Sequence, residues 1–153
     1  MINFIEVING LKDYIQSSEP LDTILIAVNE SKAEITNRIF NSEKGTKDVK
    51  GTDLKAYSKE YAKYRQSLGR QIKNVDLELT GSLRRNLKTV RRDKNFTIQF
   101  DSQTEISKIK DIEKKYNKVI FDSTEEETNN LVKKVNEYLL KDLARVIEEK
   151  IKK

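Results

Sequence analysis

The chain has no cysteine and no histidine. Without cysteine there is no disulfide, no thiolate zinc site and no thiol nucleophile. Without histidine there is no imidazole general base, so a Ser-His-Asp arrangement within this chain is excluded. Chemistry would have to come from Asp, Glu, Lys, Tyr, Ser and Thr. There are only five glycines and one proline, and no G-x-G-x-x-G or Walker A pattern. No apolar run approaches the ~18 residues that span a bilayer. The first residues show no basic region, apolar stretch and small-residue cleavage site, so no secretory signal is expected. The lack of cysteine is compatible with a reducing cytosol.

What is present is charge. Of 153 residues, 36% are charged and only 36% are hydrophobic, with a net charge of +5. The length fits a single domain over residues 1–153. The lean apolar share suits a chain whose burial is completed by a partner surface. A mild positive charge permits contact with acidic surfaces but does not by itself define a nucleic-acid binder.

Periodicity organises the chain. Residues Ile2 to Val7 are rich in β-branched and aromatic types and read as a strand. The alternative is a helix through Leu11 and Ile15, weakened by Gly10. Pro20 suits a first helical turn. From Leu21 to about Asn41, Ile24, Val28, Ile35 and Ile39 form one stripe of an amphipathic helix. Residues 42–54 lose all period around Gly45 and Gly51 and read as a mobile loop. Lys55 to Leu68 reads as a polar helix closed by Gly69, with Tyr57, Tyr61 and Tyr64 on one face. Residues 69–75 read as irregular.

The second half is clearer. Phe96, Ile98 and Phe100 alternate with Thr97 and Gln99. With Leu87–Arg92 before them and Arg92-Asp93-Lys94-Asn95 as turn, they predict a hairpin. A charged helix follows at about Thr104 to Tyr116, then a short strand at Lys118 to Phe121. Ser123 or Thr124, with Glu126 or Glu127 three residues on, predicts a capped last helix. Glu125, Glu126 and Glu127 suit its positive end. Leu131, Val132, Val135, Leu139, Leu143, Val146 and Ile147 mark its apolar side. Some 28 residues give a helix of about 42 Å. The expected fold is α+β: a small antiparallel sheet with a central hairpin, flanked by amphipathic helices including a long C-terminal one.

Three constellations stand out. Arg84, Arg85, Lys88, Arg91, Arg92 and Lys94 form a basic run opposed only by Asp93. On a strand Arg91 and Arg92 point to opposite faces, so the run is either a solvated arm, a protein contact or a phosphate contact. Tyr57, Tyr61 and Tyr64, interleaved with Lys59, Lys63 and Arg65, either pack at an interface or stack on bases, and packing is favoured. Asp101, Glu105 and Asp122 sit near strand ends, where carboxylates can hold Mg²⁺. No completing signature accompanies them, so capping or solvated roles are expected, with no metal and no cofactor.

One block is more specific. Tyr57-Ser58-Lys59-Glu60-Tyr61-Ala62-Lys63-Tyr64-Arg65 is followed by Val75-Asp76-Leu77-Glu78-Leu79-Thr80-Gly81-Ser82-Leu83-Arg84. This resembles the tailed-phage virion morphogenesis proteins, the tail-completion and head–tail joining group. Members carry a Tyr-Ser-x-x-Tyr-Ala-like helix and a Leu-x-x-Thr-Gly-x-Leu-Arg-like box leading into a hairpin. In physical terms Thr80 can cap a short helix, Gly81 allows an unusual dihedral, and Leu83 and Leu87 bury one face with Arg84 displayed beside them. The likeness covers roughly residues 55–145, more weakly beyond the hairpin. The sequence departs from the group at residues 105–118, which are Lys-rich where relatives carry a Gly-rich or His-containing loop.

The resemblance implies a non-enzymatic structural protein of a phage or prophage virion, made in the bacterial cytoplasm. It implies a ring, with a hexamer favoured, at the neck or head-proximal tail end. Partners would be other neck and tail proteins and, in the lumen, DNA; no membrane and no small-molecule substrate are implied. A ring needs two different patches per subunit. The hairpin with Arg91 and Arg92 is one candidate, and the tyrosine helix or residues 42–54 the other. The alternative reading is a small basic nucleic-acid-binding module of a mobile element.

Overall fold

A computed structural model describes residues 4–152. Six helices and one two-stranded antiparallel sheet make up the described residues, an α+β fold with a long last helix.

Helix α1 (Phe4–Gln16) replaces the strand expected over residues 2–7, of which Ile2 and Asn3 lie outside the described residues. Its helical alternative holds because α1 packs on the last helix. Gly10 is where they meet: a Cβ there would lie 2.7 Å from Lys150 Cε. Helix α2 (Glu19–Ile39) starts with Pro20 in its first turn, as expected. It buries Ala27, Val28, Ser31, Ile35 and Ile39.

Residues 42–54 are irregular, as expected, but they are not free. Thr46 is 1% exposed; its amide donates to the Val75 carbonyl and its hydroxyl to the Ile39 carbonyl. Asp48 is buried and accepts from Lys118 Nζ at 2.6 Å and from the amides of Lys50 and Thr52. The Val49 amide donates to the Val119 carbonyl, and Lys47 pairs with Asp53. Polar composition suggested mobility; long-range partners, invisible in the local pattern, anchor the stretch instead.

Helix α3 (Lys59–Ser67) is shorter than expected. Ser58 caps it, so Tyr57 lies before the helix. Gly69 then takes φ +66 at the chain reversal. Helix α4 (Ser82–Asn86) runs into β1 (Leu87–Arg92), which pairs with β2 (Asn95–Phe100) from Leu87↔Phe100 to Arg92↔Asn95. This hairpin matches expectation residue for residue. It lies along α2: Thr89 donates to Asn29 and Arg91 faces Asp22.

Helix α5 (Gln103–Tyr116) ends at Asn117 with φ +52. The strand expected at Lys118–Phe121 does not form. Glu113 Oε1 accepts from the Ile120 and Phe121 amides, taking the donors a strand would need. Helix α6 (Glu125–Ile151) opens with the expected capping box, made by Thr124 and Glu127. It runs antiparallel to α2 and then to α1: Arg38 meets Glu127, Lys134 meets Glu34, Arg145 meets Glu19 and Tyr14 meets Asp142. Val132, placed on its apolar side from sequence, is 54% exposed.

The apolar core sits at the other end of α2. Ile35, Ile39, Phe40, Leu54, Val75, Leu83, Leu87 and Ile120 form one buried cluster, with Tyr57, Leu77, Ile98, Phe100 and Phe121 packed against it.

Candidate functional site

The two runs that carry the family resemblance meet on one carboxylate. Asp76 is 2% exposed. Arg65 Nη2 donates to both its oxygens, at 2.9 and 3.1 Å. The Tyr57 hydroxyl donates to Oδ1 at 3.0 Å and accepts from the Asp76 amide at 3.0 Å. Gln71 Nε2 and the Glu78 amide also donate to this carboxylate. Arg65 Nε donates to the Gln71 carbonyl, and its guanidinium lies 4.6 Å from the centre of the Tyr57 ring. A buried charge is tolerable only when paired and hydrogen-bonded, and this one is both. Burial pushes the Tyr57 hydroxyl far above its ordinary value, so it acts here as a neutral donor.

Arg65 therefore does not face solvent between tyrosines, as the interleaved pattern suggested. It is 1% exposed and acts as a structural cation. Ser58 caps α3 by accepting from the Tyr61 amide. Tyr57, Tyr61 and Tyr64 do meet as rings, with centroids 5.3 and 6.2 Å apart in succession. Tyr64 is the exposed member, at 52%.

The box after Asp76 turns sharply. Leu77 has φ +51, a conformation that is strained for a side chain of this kind. Gly81, not Thr80, is the N-cap of α4, with φ +71 and a Cβ position only 2.8 Å from Arg85 Nη1. Thr80 contributes differently: its hydroxyl accepts from the Ser82 amide and its carbonyl from Arg85. Leu83 and Leu87 are both buried, as their spacing implied. Arg84 is displayed and pairs with Glu78 at 3.0 Å.

Together these residues wall a cleft of about 380 Å³, lined by Tyr57, Tyr61, Leu77, Leu79, Leu83 and, from α5, Glu105, Lys108, Asp111, Ile112, Lys115 and Tyr116. Lys115 lies 5.6 Å from the ring centres of both Tyr61 and Tyr116. Glu105 is 4% exposed. Its Oε1 accepts from Ser82 Oγ and Lys108 Nζ, each at 2.7 Å, while its buried Oε2 has no partner. Burial opposes the charge on Glu105, but the bonds from Lys108 and Ser82 outweigh it and hold the carboxyl below its usual range.

The basic run divides. Arg85 folds onto the box, and Arg91 is held by Asp22, by the Asp93 carbonyl and against the Phe96 ring. Lys88, Arg92 and Lys94 are exposed and have no ion-pair partner among the described residues. Asp101 and Asp122 do not join Glu105: no group of acidic side chains among the described residues is arranged to hold a metal ion. No described helix is long and apolar enough to cross a membrane.

Sequence reasoning missed Arg38. It donates to the carbonyls of Lys47, Ile120 and Asp122 and to Glu127, tying α2, the 42–54 stretch and α6 together. An arginine in the last turn of a helix reads locally as a dipole partner, so no signal marked it. Comparison with protein-family models, curated proteins and solved structures gave no match to this chain.

Proposed function

We propose that this chain is a structural subunit of a tailed-phage or prophage virion. It acts at the neck or head-proximal tail end as a tail-completion or head–tail joining protein. Copies assemble head to tail into a ring, favoured as a hexamer, and contact other neck and tail proteins around a DNA-filled lumen. It works by surface complementarity and performs no catalysis.

One observation carries this reading beyond the sequence likeness. Residues 57–65 and 75–84, which hold the motif, meet on Asp76, and the second run leads through α4 into the basic hairpin that lies along α2. A cleft together with an exposed basic hairpin turn suits an assembly protein.

The test is solution mass by light scattering, across concentration and at two salt levels. A discrete closed oligomer is expected. The competing nucleic-acid reading draws on the unpaired Lys88, Arg92 and Lys94. It requires a monomer or dimer that binds duplex DNA, with log affinity falling by about 0.9 per phosphate contact against log salt. That result would replace the ring reading.

A further inference from the structure

We infer that the hairpin tip of one copy docks in the cleft of the next, with Arg92 offered to Glu105. This rests on the ring reading and names its two patches.

The hairpin places its two ends apart. Leu83 lines the cleft and Leu87 opens β1, whereas Arg92 and Lys94 lie at the turn. Five residues at about 3.4 Å put the tip about 17 Å from the base. The paired register keeps the arm extended, so its own tip cannot fold back into its own cleft. Another copy's tip can. A donor at one end of a stiff arm and an acceptor at the other is the geometry of a head-to-tail contact.

The chemistry matches at both ends. Glu105 is a buried carboxylate with one oxygen unpartnered, a rare condition that a donor would relieve. Lys108 donates to the other oxygen, Oε1, is half exposed and is held at one atom, so it can shift to admit a second donor. Arg92 brings a planar fork suited to carboxylates; the rings of Tyr57, Tyr61 and Tyr116 already carry Arg65 and Lys115, so its target in the cleft is the carboxylate. Asp111, exposed at the cleft, stands ready for Lys94. The cleft volume falls at the small end of the roughly 300–1,000 Å³ of ligand pockets, a fit for a side chain and not for a nucleotide run.

A chain without cysteine allows a clean test. Lys94→Cys and Asp111→Cys chains are mixed under mild oxidation and compared with Lys94→Cys plus Leu140→Cys, Leu140 being exposed on α6. A mixed disulfide dimer is expected only in the first mixture, and adding Arg92→Glu to the Lys94→Cys chain is expected to cut its yield at least tenfold. Equal linking to both positions, no linking to Asp111→Cys, or indifference to Arg92→Glu would overturn the inference. So would an Arg92→Glu chain that keeps the oligomeric mass of the wild type while losing DNA retention. Rings formed by the wild-type chain, with no disulfide between the Lys94→Cys and Asp111→Cys chains, sink the inference and leave the ring reading standing. A chain that stays monomeric and does not cross-link counts against both.

Discussion

The two ends of α2 are held in different ways. Around its C-terminal half lies the apolar cluster, closed by Arg65–Asp76 and sewn by Arg38 and Asp48. Along the rest, α1 and α6 lie on α2 with few buried residues: Gly10, Tyr14, Ala27, Val28, Ser31 and Val146. There the ties are polar and partly open to solvent, such as Lys134 to Glu30 and Glu34, and Arg145 to Glu19. Exposed pairs of this kind contribute little in water. The first region is a hub, the second an arm. Ile5, Ile8, Ile15 and Leu140 are exposed on the arm's helices. The hub holds the cleft and the hairpin base, so rigidity is concentrated where a docking surface needs it.

That contrast can be broken most strongly at the hub. Arg65→Met removes one partner of a buried pair and leaves Asp76 uncompensated. A loss of about 3–5 kcal/mol in urea-unfolding stability is expected. Ile39→Ala, at a side chain with no exposure, is expected to cost about 2–5 kcal/mol. The matching truncation on the arm, Leu140→Ala at 65% exposure, should move stability by no more than about 0.5 kcal/mol. Equal effects at these two positions would erase the distinction. Tyr14→Phe lies between them. It deletes the hydroxyl that donates to Asp142 at 3.1 Å, and about 0.5–1.5 kcal/mol should be lost, because Thr23 still serves that carboxylate.

Acid should act gently, at Asp48 and Glu105 in the hub and also at Glu30 on the arm, which Lys134 and Tyr138 hold below its ordinary value. Burial works against the charge on Asp48, yet hydrogen bonds from Lys118, Thr52 and Lys50 outweigh it and hold the carboxyl below its ordinary value. A group with a lowered folded value stabilises the fold above its unfolded value, near 3.8. That contribution fades as pH falls through the folded value. Urea midpoints should therefore drop between pH 5 and pH 3, and Asp48→Asn should shrink the drop. Glu105, lowered by Lys108 and Ser82 against its burial, contributes with the same sign.

Local signals in the sequence agree with the structure where the structure is local. The capping box of Thr124 and Glu127, the alternation of Phe96, Ile98 and Phe100, and Leu83 with Leu87 each involve neighbours within a few residues. Errors arose where a distant partner decides. Gly10 is a helix residue because it faces Lys150, and Lys118–Phe121 is no strand because Glu113 takes its amides. Residues 42–54 are fixed by Val75 and Val119, and Arg65 is buried by a carboxylate eleven residues on. The two motif runs, 57–65 and 75–84, do meet on Asp76. The wall that α5 contributes, with Glu105 and Lys115, was not legible, because packing of α5 on the box leaves no trace in either stretch alone.

Native-state amide hydrogen exchange tests the hub and arm most directly. The amides of Phe40, Thr46 and Ile106, which bond to Thr36, Val75 and Ser102, are expected to exchange at or near the rate set by global unfolding. Amides of α1 and the last turns of α6 are expected to exchange orders of magnitude faster, through local opening. Slowest exchange along α1 and α6, with early opening around Thr46, would contradict the account.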